Sequence, residues 1–154
     1  MTKQTIQARF ASLVEIYYEN HVHKKFLADV YAVIPKGKKC ALWFTHGQCW
    51  MFQIAKRPYQ PHMQQQPKPL QAVAFDDVRM LPMPCMDDAW YQGDGTILYG
   101  TCMVDKNRFS VENVHCFCGV KPPNDGSMNR FIQLFESLKQ CQLELPLRFF
   151  MPIM

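Results

Sequence analysis

The sequence predicts an α+β domain, with a mainly antiparallel sheet of about six to seven strands flanked by an N-terminal and a C-terminal helix. Short apolar runs separated by polar turns fill residues 29–118, as is typical of strands joined by hairpins. Apolar residues recur at spacings of three and four near both ends of the chain, as in helices packed by one face. With 154 residues the chain has the length of one domain, so residues 1–154 are predicted to fold as a single unit.

The first helix is predicted over Thr5–His23, because the apolar residues of this segment share one helical face. Thr2 or Thr5 is its expected cap. Three strands follow in the runs 29–34, 40–45 and 49–54, which are rich in aromatic and β-branched residues. Two turns are expected to separate these strands, and their residues are Lys36, Gly37, Lys38 and Lys39 in the first and His46, Gly47 and Gln48 in the second.

The middle of the chain is predicted to be a surface loop and one interrupted strand. Residues 56–69 contain four prolines and four glutamines, which predicts a mobile surface loop. The apolar pattern of Leu70–Leu81 predicts a strand broken by an acidic turn at Asp76-Asp77. Another loop, which contains Asp87-Asp88, is expected to lead into the next strand.

A hairpin is the centre of the predicted sheet. Its strands are Thr96–Val104 and Arg108–Cys118, and the polar turn Asp105-Lys106-Asn107 joins them. A helix is predicted over Ser127–Cys141, because its apolar residues form one stripe. A short apolar strand, interrupted by Pro146 and Pro152, is expected to follow it over the final residues 143–154.

Charge and composition indicate the kind of partner and the setting. The net charge is +4, and it is uneven, with nine Lys/Arg against three Asp/Glu in residues 1–60 and eight against ten in residues 61–154. An anionic partner should therefore approach the first half. The sequence contains no run of about 18 apolar residues to span a bilayer and no apolar signal-peptide core. We expect no membrane partner and an intracellular, cytoplasmic location, with a virion as the open alternative. The seven cysteines are expected to be buried free thiols.

The central hairpin resembles two motifs of the covalent nucleotidyltransferase superfamily, which includes mRNA-capping guanylyltransferases and ATP-dependent DNA and RNA ligases. The segment GTILYGTCMV is similar to the family strand GTLLDGELV. The segment RFSVENVHCFCG is similar to the next motif, an aromatic residue followed by Asp-Ile-Leu and ending in glycine. Large DNA viruses encode diverged domains of this kind. The resemblance covers residues 29–154, and it implies a nucleotidyltransferase-like fold of the capping-enzyme type.

Several positions depart from the family's motifs. The family's nucleophile is the lysine of a Lys-x-Asp-Gly motif, but no Asp-Gly follows any of the three weak candidates, which are Lys36, Lys38 and Lys39. The matched motif positions are Gly95, Tyr99, Gly100, Thr101, Glu112 and Asn113. Tyr99 and Thr101 replace two acidic residues of the family, and Asn113 replaces a third, which leaves few carboxylates for a divalent cation. These departures imply a pseudoenzyme with no cofactor, and a divalent metal is expected only if the chain is active.

The best binding candidates are basic residues near aromatic ones, because cations neutralise phosphates and exposed rings stack on bases. They are Lys36, Lys38, Lys39, Trp43, Trp50, Lys56 and Arg57. The alternative interpretation is a solvated basic hairpin tip above core tryptophans.

Two metal-like patterns are interpreted as structural. The residues His115 to Cys118 contain zinc-ligand types, but a Cys-x-Cys pair on one side of a strand lacks the turn of a zinc knuckle. The pairs Asp76-Asp77 and Asp87-Asp88 are more typical of solvated turns. No metal site is therefore predicted.

Three functions remain open at the level of sequence. The first is a degenerate capping-enzyme-like domain that binds a nucleotide or an RNA 5′ end without catalysis. The second is a structural or scaffolding subunit of a larger, viral assembly, with protein partners on flexible methionine-rich surfaces. The third is an active guanylyltransferase.

Overall fold

The computed structural model describes residues 2–16, 37–56, 73–82, 88–103, 108–121, 132, 134, 136 and 148–150. Residues 148–150 are described by their backbone alone. The elements are α1 (Lys3–Leu13), β1 (Lys38–Thr45), β2 (Gln48–Ile54), β3 (Phe75–Leu81), a 3-10 helix (Asp88–Tyr91), β4 (Thr96–Met103), β5 (Arg108–Cys116) and β6 (Arg148–Phe150). No helix within the described ranges is long and apolar enough to cross a membrane.

The strands form one sheet in the order β3-β2-β1-β4-β5-β6. The first five pair antiparallel, and the three residues of β6 pair parallel with β5. The α+β class is confirmed. The full count of six to seven strands and the nucleotidyltransferase-like fold stay predictions. The strand expected over 29–34 and the loop from residue 57 lie outside the described residues.

Both faces of the central strands are buried. On the first, which we call the α1 face, Ile6 and Phe10 of α1 pack against β1, β2 and β3, and the Phe10 ring stacks on Phe52 with centroids 4.3 Å apart. On the second, the opposite face, Trp90 of the 3-10 helix and Leu134 cover the core residues of β1, β4 and β5. The central strands therefore lack a solvated side, which explains their nearly continuous apolar sequences.

The first helix is shorter than predicted. It begins after Thr2, whose hydroxyl accepts a hydrogen bond from the Thr5 amide, as expected of a cap. It ends at Leu13, because Val14 is extended with φ −144°. The Ile16 carbonyl then accepts a bond from the Val73 amide, so this segment has left the helix by residue 14. Residues 17–23 of the prediction lie outside the described part of the chain.

The predicted lysine turn is wrong for Lys38 and Lys39. Both lysines belong to β1 and pair with Cys102 and Thr101 of β4. The chain already lies against β4 at Gly37, where an added Cβ would be 2.5 Å from the Cys102 carbonyl oxygen. The second turn is confirmed at His46 and Gly47, which have φ of 49° and 73°, as a two-residue type I′ turn requires. Gln48, also predicted in the turn, begins β2 and pairs with Thr45.

The predicted acidic turn at Asp76-Asp77 is also wrong. Both residues lie inside β3, and Asp76 is the extra residue of a β-bulge opposite Gln53 and Ile54. The side-chain amide of Gln53 donates a hydrogen bond of 2.8 Å to the Asp76 carboxylate. A bulge, unlike a turn, lets the strand continue past the acidic residues. Asp88, expected in a loop, begins the 3-10 helix.

The central hairpin is confirmed by β4 and β5, while its turn lies outside the described residues. Two bulges interrupt β5, and their extra residues are Glu112 and His115. In the predicted C-terminal helix, the described residues Ile132, Leu134 and Glu136 are helical. The strand expected near the end of the chain is present as β6.

Candidate functional site

Four side chains that the motif comparison singled out meet on the α1 face, where β1, β4 and β5 lie side by side. Lys39 and Thr101 are direct cross-strand partners. Tyr99 lies two residues before Thr101 on the same face of β4, and Glu112 is the bulged residue of β5 beside it. We call these four residues the Lys39–Glu112 cluster.

An ion pair is the centre of this cluster. The Lys39 ammonium donates to both Glu112 carboxylate oxygens, with Nζ 2.6 Å from Oε1 and 2.8 Å from Oε2. Thr101 donates its hydroxyl proton to Oε1 over 2.7 Å, and the centroid of the Tyr99 ring is 5.9 Å from Nζ. The side chains of Glu112 and Lys39 are 9% and 27% exposed. Because little water screens this pair and Thr101 satisfies the carboxylate further, it should be stronger than an exposed ion pair.

The arrangement of Lys39 favours a structural charge over a nucleophile. A lysine attacks a phosphate only as a free amine aligned with the phosphorus atom. Here two of the three ammonium protons point at one carboxylate. Attack would require loss of a proton and of both contacts with Glu112. As arranged, Lys39 links β1 to β5 across β4.

The two motif glycines have packing roles of their own. Gly95 has φ +81°, and a Cβ there would lie 1.9 Å from the Phe44 carbonyl oxygen. A Cβ on Gly100 would lie 1.9 Å from the carbonyl oxygen of Ser110 in β5. Contacts this short exclude any side chain without backbone movement. The sheet itself therefore requires glycine at both positions.

Basic residues gather at one end of the sheet. Lys38 begins β1, Lys56 follows the end of the antiparallel β2, and both are exposed. Arg108 and Arg148 begin β5 and β6 and are register partners. Strands lie about 4.8 Å apart, so the row from β2 to β6 spans about 19 Å. We call these four residues the basic end. Its acidic neighbours are Asp76 and Asp77 at the same end of β3, the latter 3.9 Å from Arg79.

The predicted tryptophans lie in the core. Trp43 and Trp50 are 3% and 6% exposed and belong to the α1 face. The Trp43 indole donates a hydrogen bond of 2.8 Å to the Asp94 carbonyl, and the indole nitrogen of Trp50 is without a partner among the described residues. These rings fit the alternative interpretation, a core beneath basic residues. Lys36 and Arg57 lie outside the described residues.

Asn113, the remaining motif position, has a local role. It pairs with Tyr99 across β4 and β5, and its side-chain oxygen accepts a hydrogen bond of 2.9 Å from the Val114 amide. This bond satisfies a backbone donor beside the bulge. An amide side chain used in this way has no need of the negative charge that the family's aspartate carries.

A cavity beyond the C-terminal end of α1 was not predicted. Its volume is about 260 Å³, and its lining residues are Leu13, Val14, Glu15, Asp94, Ile97, His115, Cys116 and Lys121. Burial and the nearby Asp94 raise the pKa of the Cys116 thiol. The lining comes from four separate parts of the sequence, so sequence patterns do not reveal the cavity. Of the lining residues, the sequence singles out His115 and Cys116 alone, as residue types that can bind zinc.

The zinc-like residues do not face one another. Cys116 lies on the α1 face, but Cys118 follows the end of β5 with φ 52° and packs on the opposite face. The prediction that these cysteines share one side is therefore wrong, because the strand ends between them. Within the described ranges, no group of three or more His, Cys, Asp or Glu residues is placed to hold a metal ion.

Comparison of the chain with protein families, curated proteins and solved structures found no match. The similarity to nucleotidyltransferases thus rests on the hairpin motifs alone and stays a prediction.

Proposed function

We propose that this chain is a nucleotidyltransferase-like domain that binds a nucleotide or an RNA 5′ end and does not transfer it. The basic end is the observation that supports binding. It brings basic residues of four strands to the same end of the sheet, in a row of about 19 Å, a span that several successive phosphates of a single strand can follow. The motif resemblance, independent of the charges, is what makes a nucleotide the preferred anion.

The Lys39–Glu112 pair supports the absence of transfer. Lys39 is the candidate nucleophile that lies beside the family's motif positions, with Thr101 in the place of a family carboxylate. Its ammonium is committed to Glu112. A domain with this pair keeps a charged lysine in the sheet, and the exposed lysines of the basic end, Lys38 and Lys56, would contact phosphates.

Labelling tests the absence of transfer. The protein is incubated with α-labelled GTP or ATP and Mg²⁺, then separated on a denaturing gel. We expect no covalent adduct. An adduct that persists in Lys38→Ala but disappears in Lys39→Met would establish Lys39 as a nucleophile and overturn this part of the proposal.

Salt titration tests binding at the basic end. Capped and uncapped RNA oligonucleotides are titrated into the protein at several salt concentrations. A Lys38→Ala/Lys56→Ala variant should lower the slope of log affinity against log salt by about 1.4, since each single-strand phosphate contact contributes about 0.7. The charge-matched control is Lys3→Ala/Lys121→Ala, which alters exposed lysines on α1 and beyond β5. Equal slopes for the two variants would contradict binding at the basic end.

A structural subunit is the second candidate, and the outer strand β3 favours it. No described residue pairs with the outer edge of β3, and Met80 on this strand is 54% exposed. An exposed apolar side chain on an edge strand can contact a partner. If no oligonucleotide binds and Met80→Glu releases the protein from an assembly with which it co-purifies, the structural function replaces the first proposal.

A further inference from the structure

The strand β3 is the outer strand of the sheet, and no described residue pairs with its outer edge between Phe75 and Leu81. Just before the strand this edge is covered, since the Val73 amide donates a hydrogen bond to the Ile16 carbonyl. Within the described part of the chain, the uncovered edge is therefore the seven residues of β3, and Val78 is its midpoint.

The turn between β1 and β2 determines which backbone groups of β3 point outward. The residues that flank this two-residue turn, Thr45 and Gln48, are register partners and hydrogen-bond to each other. Because bonding groups alternate between the two edges of a strand, the odd-numbered residues of β2 point to β3. Their register partners are the odd-numbered residues of β3. The backbone groups of Val78 and Met80 therefore point out of the sheet, where another strand can pair with them.

Two opposite charges flank Val78 symmetrically. Arg79 lies on the opposite face, where its guanidinium is 3.6 Å from the Met51 sulfur. Asp77 shares that face because side chains of a strand alternate, and the side chains of Arg79 and Asp77 are 55% and 45% exposed. Charges on an edge strand usually prevent pairing with a second copy. Here the signs differ, so in an antiparallel copy each charge can face its opposite.

We propose that two copies of this chain form a dimer in which their β3 strands pair antiparallel, with Val78 facing Val78 of the second copy. In this register Asp77 faces Arg79 of the second copy and Arg79 faces Asp77, and all seven residues of the strand overlap. A two-fold axis at Asp77 or at Arg79 would instead place two like charges opposite each other, which is unfavourable. The two six-stranded sheets join into one.

The two-fold symmetry of this pairing closes the assembly at two copies, because each copy uses its β3 edge once. The bulge at Asp76 lies outside the three central pairs, which are formed by residues 77–79. Dimerisation does not depend on nucleotide binding, and the partner is the chain itself rather than another subunit.

Sedimentation velocity of the full chain over a range of concentrations tests dimerisation. We expect a shift from monomer to dimer, together with stronger protection of the Val78 and Met80 amides from hydrogen exchange as the concentration rises. A protein that stays monomeric up to about 1 mM would overturn the proposal. Protection of these amides that is the same at every concentration would also overturn it, since another segment of the same chain would then cover the edge.

Charge reversal tests the register. Asp77→Arg and Arg79→Asp each place like charges opposite each other in their own dimers, so each should weaken dimerisation at least about tenfold. An equimolar mixture of the two variants should form a mixed dimer, because two positive side chains of one copy then face two negative ones of the other.

Lys3→Asp is the control for charge reversal. It changes an exposed lysine of α1 by the same two charge units as Arg79→Asp, and it should dimerise like the parent protein. Single variants that dimerise as well as the parent protein, or a mixture that stays monomeric, would contradict pairing in this register.

Met80→Pro tests whether the strands pair through their backbones. The Met80 amide points out of the sheet, so proline should leave the pairing with β2 intact and remove a donor to the second copy. Met80→Ala is the matched control, since it keeps the amide and removes the same side chain, which is 54% exposed. We expect Met80→Ala to dimerise and Met80→Pro to be monomeric, with the circular dichroism of both unchanged. Equal dimerisation of the two variants would overturn the proposal.

Discussion

At the scale of single residues, Glu112 is the clearest case of a side chain that the sheet holds in place. Replacing it by Gln keeps the shape and removes the charge that faces the Lys39 ammonium. Leaving a shielded ammonium without its carboxylate should lower the free energy of unfolding by about 1–3 kcal/mol, less than for a fully buried pair, since Lys39 is 27% exposed. Urea denaturation of Glu112→Gln measures the change.

The matched control for Glu112 is Asp77→Asn. Asp77 belongs to an ion pair with Arg79 whose atoms are 3.9 Å apart and whose side chains are 55% and 45% exposed, Arg79 first. Exposed pairs contribute about 0–1 kcal/mol, so this variant should be nearly neutral. If both variants have the same stability as the parent protein, the Lys39–Glu112 pair contributes no more than a surface pair.

The buried thiols predict a loss of stability at alkaline pH. Burial raises the pKa of Cys49 far above its ordinary value of 9.0. The folded state therefore keeps this thiol neutral, while in the unfolded state it ionises as the pH passes 9. The contribution is complete below the unfolded pKa and is lost above it, by up to about 1.4 kcal/mol per pH unit. Denaturation from about pH 8 to about pH 10 under reducing conditions should show a shallower decline for Cys49→Ala. If the stability of the parent protein and that of Cys49→Ala decline equally with pH, Cys49 does not cause the loss.

At the scale of elements, the β4–β5 pair predicts a strict requirement for glycine. Gly100→Ala places a Cβ 1.9 Å from the Ser110 carbonyl oxygen, so the two strands must move apart. We expect a loss of at least about 2 kcal/mol by thermal or urea denaturation. At Gly47 an added Cβ meets nothing within 4 Å, and only its φ of +73° is unfavourable. Gly47→Ala should therefore cost about 1 kcal/mol. A larger loss of stability in Gly47→Ala than in Gly100→Ala would contradict the close packing of β4 on β5.

The elements that the sequence predicts correctly are those with a local signal. Aromatic and β-branched runs predict β1 and β2, and a short polar turn with glycine predicts their connection. The bulges at Asp76, Glu112 and His115 have no such signal, because an extra residue in a strand is decided by pairing with its neighbour. The end of α1 at Leu13 also depends on a tertiary contact, since the backbone carbonyl of Ile16 accepts a hydrogen bond from the Val73 amide.

At the scale of the whole molecule, the two buried faces predict one cooperative transition. Trp43 and Trp50 lie on the α1 face and Trp90 lies on the opposite face, so fluorescence reports on both. If residues 1–154 form a single domain, the fluorescence of Trp90→Phe and that of Trp43→Phe/Trp50→Phe should each change together with the circular dichroism of the same variant during urea denaturation. Separate midpoints within one variant would indicate independently unfolding parts.

The molecule also explains which site residues could be predicted from the sequence. Tyr99, Thr101 and Glu112 are predicted from their motif positions and Lys39 as one of three candidate lysines, and the sheet brings the four together. The sequence leaves open whether Trp43 is exposed or lies in the core, because a strand covered on both faces gives no alternation between inside and outside. The basic end was predicted only in part. Arg108 and Arg148 are far from Lys38 in sequence, and strand order alone places them in one row.

The bulges of β3 and β5 separate the polar side chains from the rest of the sheet. Each adds a single residue opposite a strand that has none to match it, and the three added residues are Asp76, Glu112 and His115. Deleting any one of them would leave the flanking register intact, whereas deletion within β1 would reverse the inward and outward positions of the strand. Glu112 can therefore be removed by a one-codon deletion as well as by substitution. The carboxylate of the Lys39–Glu112 cluster can thus be removed without changing the pairing of the strands.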